Sequence, residues 1–280
     1  AAVAAAVAAA AAAPPAPPAV AASTGTAASA PPASSRVCED LTPGGALAPI
    51  SGVKRMPLVS LDEAIASSGL DGVVSIASLP GMLDIGDFVF AATAKAEELI
   101  ASDGPDRFGL SADHIAALNL YTQDAMYSAL NAALRAADRA TVKPYFSYLR
   151  LFLDALRLLP AHHPHGEVAT VFRGVNKDLG AHYPDGKKVF FWSVTSCTTD
   201  GAMLSNPMFL GTTGARTMLN ITTPSSRDIS RYSFYPSEAE VVLPPGLQFQ
   251  VMSKTVLPGS GGLVLINLTE TSSRLVPWVE

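Results

Sequence analysis

Two glutamates one residue apart, Glu238 and Glu240 in YSFYPSEAEVVLPPG, lead into an apolar run that stops at Pro244-Pro245-Gly246. Read as a strand, the stretch sets both carboxylates on one face, because alternate side chains share a face. Neighbouring anions repel, and one proton affinity rises. A fold tolerates such a pair where a cation, or a positive charge developing in a reaction, comes between them. The plain alternative is a solvated sheet face carrying two ordinary glutamates. A second stretch, TVFRGVNKDL, puts Arg173 mid-strand among apolar neighbours. An arginine there is expensive unless it meets an anion, and its planar fork suits a phosphate or carboxylate. Gly174 beside it permits close approach of a ligand to the backbone. A third stretch, FFWSVTSCTTD, ends an apolar strand in Thr195-Ser196-Cys197-Thr198. Hydroxyls at a strand end can orient both an acidic side chain and a ligand.

Other chemistries lack their residues. No G-x-G-x-x-G follows a strand pattern, and no Walker A, H-E-x-x-H or C-x-x-C occurs. His162, His163 and His165 crowd a Pro/Gly loop without ligand spacing, so no metal is expected. The sequons at Asn220 and Asn267 fall within strand patterns. A net charge of -5 argues against nucleic acid as a partner. No apolar run reaches the roughly 18 residues of a membrane span. Two cysteines, Cys38 and Cys197, make no disulfide framework. A soluble protein is expected, with a reducing, intracellular setting favoured over secretion.

The positioning elements follow from periodicity. Residues 1–45 are Ala, Pro, Ser and Thr with little bulk to bury, which reads as a disordered leader. They lack the basic start and strong hydrophobes of a signal peptide. Residues 46–280 form the folded domain. From about 58 to 160 apolar residues recur at helical intervals, with Ser60 three before Glu63 at capping-box spacing. Ile115, Leu118, Ala125, Tyr127, Leu130 and Leu134 are expected on buried faces. From about 167 to 270 come short β-branched or aromatic runs between Gly, Pro, Asp and Ser. Helices followed by strands argue for an α+β fold with mostly antiparallel strands.

The three stretches, in this order, resemble the R-S-E signature of the arginine-type mono-ADP-ribosyltransferases. LYTQDAMYSALNAALR, YLRLFLDALRLLP, FLGTTGARTMLNI, RDISRYSFYPSEAE and GLVLINLTE are similar to that family's connecting segments, so the resemblance spans about 58–270. It implies a helical subdomain packed on two small, mostly antiparallel sheets that form an NAD cleft. It implies NAD as substrate and a protein presenting arginine as partner. By position, Arg173 matches the arginine holding the pyrophosphate and the nearby ribose. The Gly174 backbone matches the contact to the nicotinamide carboxamide. Ser196 matches the serine that orients the catalytic glutamate and the nicotinamide ribose, with Ser193 a competing choice. Phe209 matches an aromatic against nicotinamide, or is simply a core phenylalanine. Glu240 matches the catalytic glutamate, and Glu238 the one associated with arginine as acceptor. The family's Ser-Thr-Ser reads Ser196-Cys197-Thr198 here.

That chemistry suits these side chains. Breaking the nicotinamide–ribose bond leaves positive charge on the sugar, as in glycoside hydrolysis. Nicotinamide departs neutral, so the reaction needs one fixed anion and a clamp rather than a general acid. Two other expectations stay open: an NAD glycohydrolase with water as acceptor, and a non-catalytic interaction domain on the same fold.

Overall fold

The computed structural model describes residues 50–67, 85–123, 125–136, 138–162, 168–200, 210 and 213–271. The Ala/Pro-rich leader and Phe209 lie outside them. Among the described residues five α-helices come first: α1 (Leu61–Ala66), α2 (Ile85–Asp103), α3 (Ala112–Thr122), α4 (Tyr127–Arg135) and α5 (Phe146–Leu158). Eight strands follow: β1 (Ala169–Val175), β2 (Lys188–Phe191), β3 (Thr195–Thr198), β4 (Arg216–Thr223), β5 (Arg227–Asp228), β6 (Glu240–Leu243), β7 (Leu247–Val256) and β8 (Leu263–Thr271). Helices thus precede strands, the α+β order expected.

Local signals set the helix starts. Ser60 caps α1 by accepting from the Glu63 N–H at 3.2 Å. Ser111 caps α3, with His114 filling the place usually held by Glu or Gln. Ile115, Leu118, Ala125, Leu130 and Leu134 are buried, while Tyr127 is half-buried. They join α1–α5 in one core, which Val194, Ile229, Tyr232 and Val242 from the β half complete. The helical layer is therefore seated on β3 and β6 and the segment between β5 and β6.

Hydrogen bonding runs through all eight strands in the order β2-β7-β8-β4-β1-β3-β6-β5. Among the described strand pairs, β4–β8 is the one parallel pair. The five-stranded group ending at β1 meets β3-β6-β5 through a single register pair, Phe172↔Thr198. The expected two sheets are thus two parts of one ladder. A second core lies between them, with Val171, Leu219, Phe249 and Ile266 from one part and Cys197, Val241 and Leu243 from the other. The two sequon asparagines form a cross-strand pair, Asn220 Nδ2 donating to Asn267 Oδ1 at 3.1 Å. Their amides serve the β4–β8 ladder.

The strand expected to hold both glutamates begins later than the sequence reading places it. Pro236–Glu238 is a 3₁₀ turn, Ala239 adopts the left-handed region at φ 46°, ψ 44°, and β6 starts at Glu240. Proline at the turn's start favours the helical twist. The side-by-side placement of the two carboxylates on one strand face is therefore corrected: a turn and one strained residue separate them.

Candidate functional site

β1 delivers Arg173, β3 delivers Ser196, and the first residue of β6 is Glu240. Arg173 Nη1 donates to the Ser196 carbonyl at 2.7 Å. This contact spans the weak junction between the two strand groups. β3 and β6 are antiparallel neighbours with Thr198 opposite Glu240 and Ser196 opposite Val242. Ser196 and Thr198 therefore share the Glu240 side of their ladder, and Cys197 turns to the core between the sheets. Burial raises the Cys197 thiol to about 12. The cysteine in the middle of the Ser-x-Thr triplet fills a packing position, so the departure from Ser-Thr-Ser leaves both hydroxyls in place. Ser193 sits before β3, where its carbonyl accepts from Thr195 Oγ1. Ser196, not Ser193, joins Arg173 and Glu240.

Glu240 has no solvent exposure. Burial raises its carboxyl to about 7, against the opposing influence of Ser196, Ser233 and Arg173. Ser233 Oγ donates to Oε2 at 3.3 Å. Oε1 is buried and accepts no hydrogen bond from the described residues. A buried carboxylate oxygen without a donor is costly unless a ligand hydroxyl supplies one. Glu238 is buried two residues before. The Thr198 hydroxyl holds its backbone, donating to the Glu238 carbonyl at 3.4 Å.

The helical layer adds groups the sequence reading did not single out. Tyr121, on α3 and 1% exposed, places its hydroxyl 3.3 Å from Ser196 Oγ. Asn119 Nδ2 donates to the Tyr232 carbonyl at 2.9 Å, and Gln123 Nε2 holds Asn119 Oδ1 at 2.8 Å. Thr122 Oγ1 accepts from the Phe234 N–H at 2.8 Å. The C-terminal turn of α3 thus grips the segment leading to Glu238 and fixes Ser233. Arg135 ends α4, half-buried, where helix carbonyls favour a cation. Burial and the neighbouring Arg173 lower its proton affinity. Two guanidiniums that repel each other make a site for an anion with more than one charge. The sequence signals were faint: Asn131 and Arg135 one helical turn apart, and a serine seven residues before Glu240.

Of the expected site residues, Arg173, Ser196 and Glu240 converge, and Glu238 adjoins them. Gly174 is buried on β1 opposite Met218. Phe209 lies outside the described residues. Among the described residues no group of three or more His, Cys, Asp and Glu side chains is placed to hold a metal ion. No helix there is long and apolar enough to cross a membrane.

The family model for NAD:arginine ADP-ribosyltransferase matches residues 92–273. The Mav protein of Mycobacterium avium (strain 104), which carries the name of an NAD(+)–arginine ADP-ribosyltransferase, is 33% identical over 158 residues. That match covers 56% of this chain and 18% of Mav. The GPI-linked NAD(P)(+)–arginine ADP-ribosyltransferase 1 of Mus musculus is 32% identical over 155 residues, covering 53% of this chain and 46% of the mouse protein. The matches thus span less than half of either curated relative. Among solved structures, the eukaryotic mono-ADP-ribosyltransferase ART2.2 superposes with a TM-score of 0.56 at 19% identity. That alignment covers 76% of this chain and 88% of ART2.2, and a variant of ART2.2 has been solved with NAD. With a family match over well over half its length, and with Arg173, Ser196 and Glu240 gathered at one junction, this chain belongs to the NAD:arginine ADP-ribosyltransferase family.

Proposed function

We propose that the domain transfers ADP-ribose from NAD to arginine side chains of a protein, releasing nicotinamide. The observation that carries this reading is the buried Glu240 carboxylate, with one oxygen held by Ser233 and the other without a donor, beside Arg173 and Ser196. Oε1 is suited to accept from the 2′-hydroxyl of the nicotinamide ribose, a bond that strengthens as the sugar becomes cationic. Arg173 and Arg135 suit the pyrophosphate, and the Gly174 backbone and Phe209 are assigned to nicotinamide. As the glycosidic C–N bond breaks, its electron pair leaves with neutral nicotinamide. The guanidinium of the acceptor then bonds to the anomeric carbon and gives up one proton. Glu238 is suited to orient that guanidinium and receive the proton.

The test is product analysis after incubation with labelled NAD and an arginine analogue. The wild type is expected to form ADP-ribosyl-arginine. Glu238→Gln is expected to abolish that product while nicotinamide release into water persists. Retained transfer in this variant removes the role of Glu238. Free ADP-ribose as the sole wild-type product makes the domain a glycohydrolase.

A further inference from the structure

We propose that Tyr121 is a positioning residue that fixes the Ser196 hydroxyl as a hydrogen-bond donor to the Glu240 carboxylate. This rests on the reading of Glu240 as the anion that stabilises the sugar cation.

The geometry is a directional chain. Its inner end is Glu240, which when ionised can only accept. Ser196 lies on the Glu240 side of the β3–β6 ladder, its hydroxyl lowers the proton affinity of that carboxylate, and it has one proton to give. A proton aimed at Glu240 leaves Ser196 Oγ as an acceptor toward Tyr121, 3.3 Å away. Tyr121 is fully enclosed, and burial raises its phenol to about 12, so it carries its proton through the neutral range and can supply it. At the outer end, Asn131 on α4 lowers the proton affinity of the Tyr121 hydroxyl. The protons in the row Tyr121, Ser196, Glu240 then point inward. The backbone carbonyl of the same serine holds Arg173. Tyr121 therefore couples the helical layer to both charged ends of the site, through one residue. Its ring is independently seated against Phe152, with centroids 5.0 Å apart. Removing the hydroxyl alone leaves that packing.

The experiment compares wild type, Tyr121→Phe and Asn131→Leu by two readouts. The first is the ¹³C chemical-shift titration of the Glu240 carboxyl, assigned with Glu240→Gln, which needs no turnover. The second is the pH dependence of nicotinamide release from NAD. Losing an aligned donor is expected to move the Glu240 titration in Tyr121→Phe upward by roughly half to one pH unit. The acidic limb of the rate profile should move with it, and kcat at pH 7 should fall about tenfold with KM for NAD within about twofold. Asn131→Leu should shift both in the same direction by less. In a Ser196→Ala background, Tyr121→Phe should add less than a twofold effect, since the two act as one unit. A Glu240 titration in Tyr121→Phe that superimposes on wild type overturns the proposal, as does a loss confined to KM. Absence of NAD cleavage in the wild type, with the titration shift present, rejects the catalytic reading and leaves the hydrogen-bond chain standing.

Discussion

A carboxylate sealed from solvent is unstable as an anion, and Glu240 meets that condition while the proposed chemistry requires the anion. Its folded proton affinity, about 7, lies above the ordinary 4.5 of a glutamate. The favourable contribution of the protonated form is therefore complete below pH 4.5 and is lost as pH rises through about 7. At pH 8 the native state is penalised by roughly 3 kcal/mol relative to a neutral isostere, taking about 1.4 kcal/mol per unit. Glu240→Gln is expected to raise the melting temperature at pH 8, and the gain should shrink toward pH 5. The same change should slow nicotinamide release at least about a hundredfold, as expected for losing one transition-state contact. Wild-type kcat/KM should fall as pH drops below about 7, because the anion is titrated away. Calorimetry and initial rates across pH 5–9 check all three. A variant both unstable at pH 8 and inactive would place Glu240 in the structural core instead.

The turn before β6 is the element on which the pair of glutamates depends. Ala239 holds φ 46°, a region that disfavours any side chain with a Cβ by about 1–2 kcal/mol. The Thr198 hydroxyl on the Glu238 carbonyl, and the Thr199 N–H directed at the Ala239 carbonyl 3.5 Å away, keep it there. Ala239→Val is expected to lower stability by about 2 kcal/mol in urea unfolding, since a β-branched side chain is worse still in this region. It should reduce arginine transfer more than NAD hydrolysis, because Glu238 moves relative to Glu240. An unchanged ratio of products would mean the turn does not set their spacing. This turn also marks where sequence reading stops. The strands β1, β4, β7 and β8 and the cap at Ser60 are legible because their signals are local: alternation, β-branching, and a serine three before a glutamate. E-A-E-V-V-L carries the same alternation, yet contacts from β3 break it at Ala239. Arg173 and Glu240 stand out by residue type, and Ser196 only through the family resemblance of the three stretches in order. Tyr121 does not stand out, because its partner lies 75 residues away and an apolar helix gives no sign of which side chain faces a serine. Ser233 was hidden in an unremarkable serine-rich loop.

Across the whole molecule, the helical layer and the site respond to pH in opposite directions. His114 is 6% exposed at the start of α3. Its Nδ1 accepts the Ser111 N–H at 3.1 Å, so the ring proton sits on Nε2, 3.4 Å from Asp154 Oδ2 on α5. Burial lowers the proton affinity of His114, against the opposing pull of Asp154 and Asp113 and with help from Arg150. Burial would raise Asp154, but Arg157 and Arg150 outweigh it and hold the carboxyl below its usual range. The neutral histidine therefore contributes stability that is fully present above its unfolded value of about 6.5 and is lost as pH falls through the lower folded value. Protonating Nδ1 also removes the acceptor for the Ser111 N–H and uncaps the helix that carries Tyr121, Asn119 and Thr122. Gln at the same position completes an ordinary capping box without titrating. His114→Gln should thus lose less melting temperature than wild type between pH 6.5 and 5. Glu240 works against this trend, gaining stability over the same interval, so the comparison belongs between variants at each pH. His114→Gln/Glu240→Gln should have the flattest stability profile of the four proteins, because both opposing titrations are gone. Parallel wild-type and His114→Gln curves would show that the ring binds its proton equally well in the folded and unfolded chain.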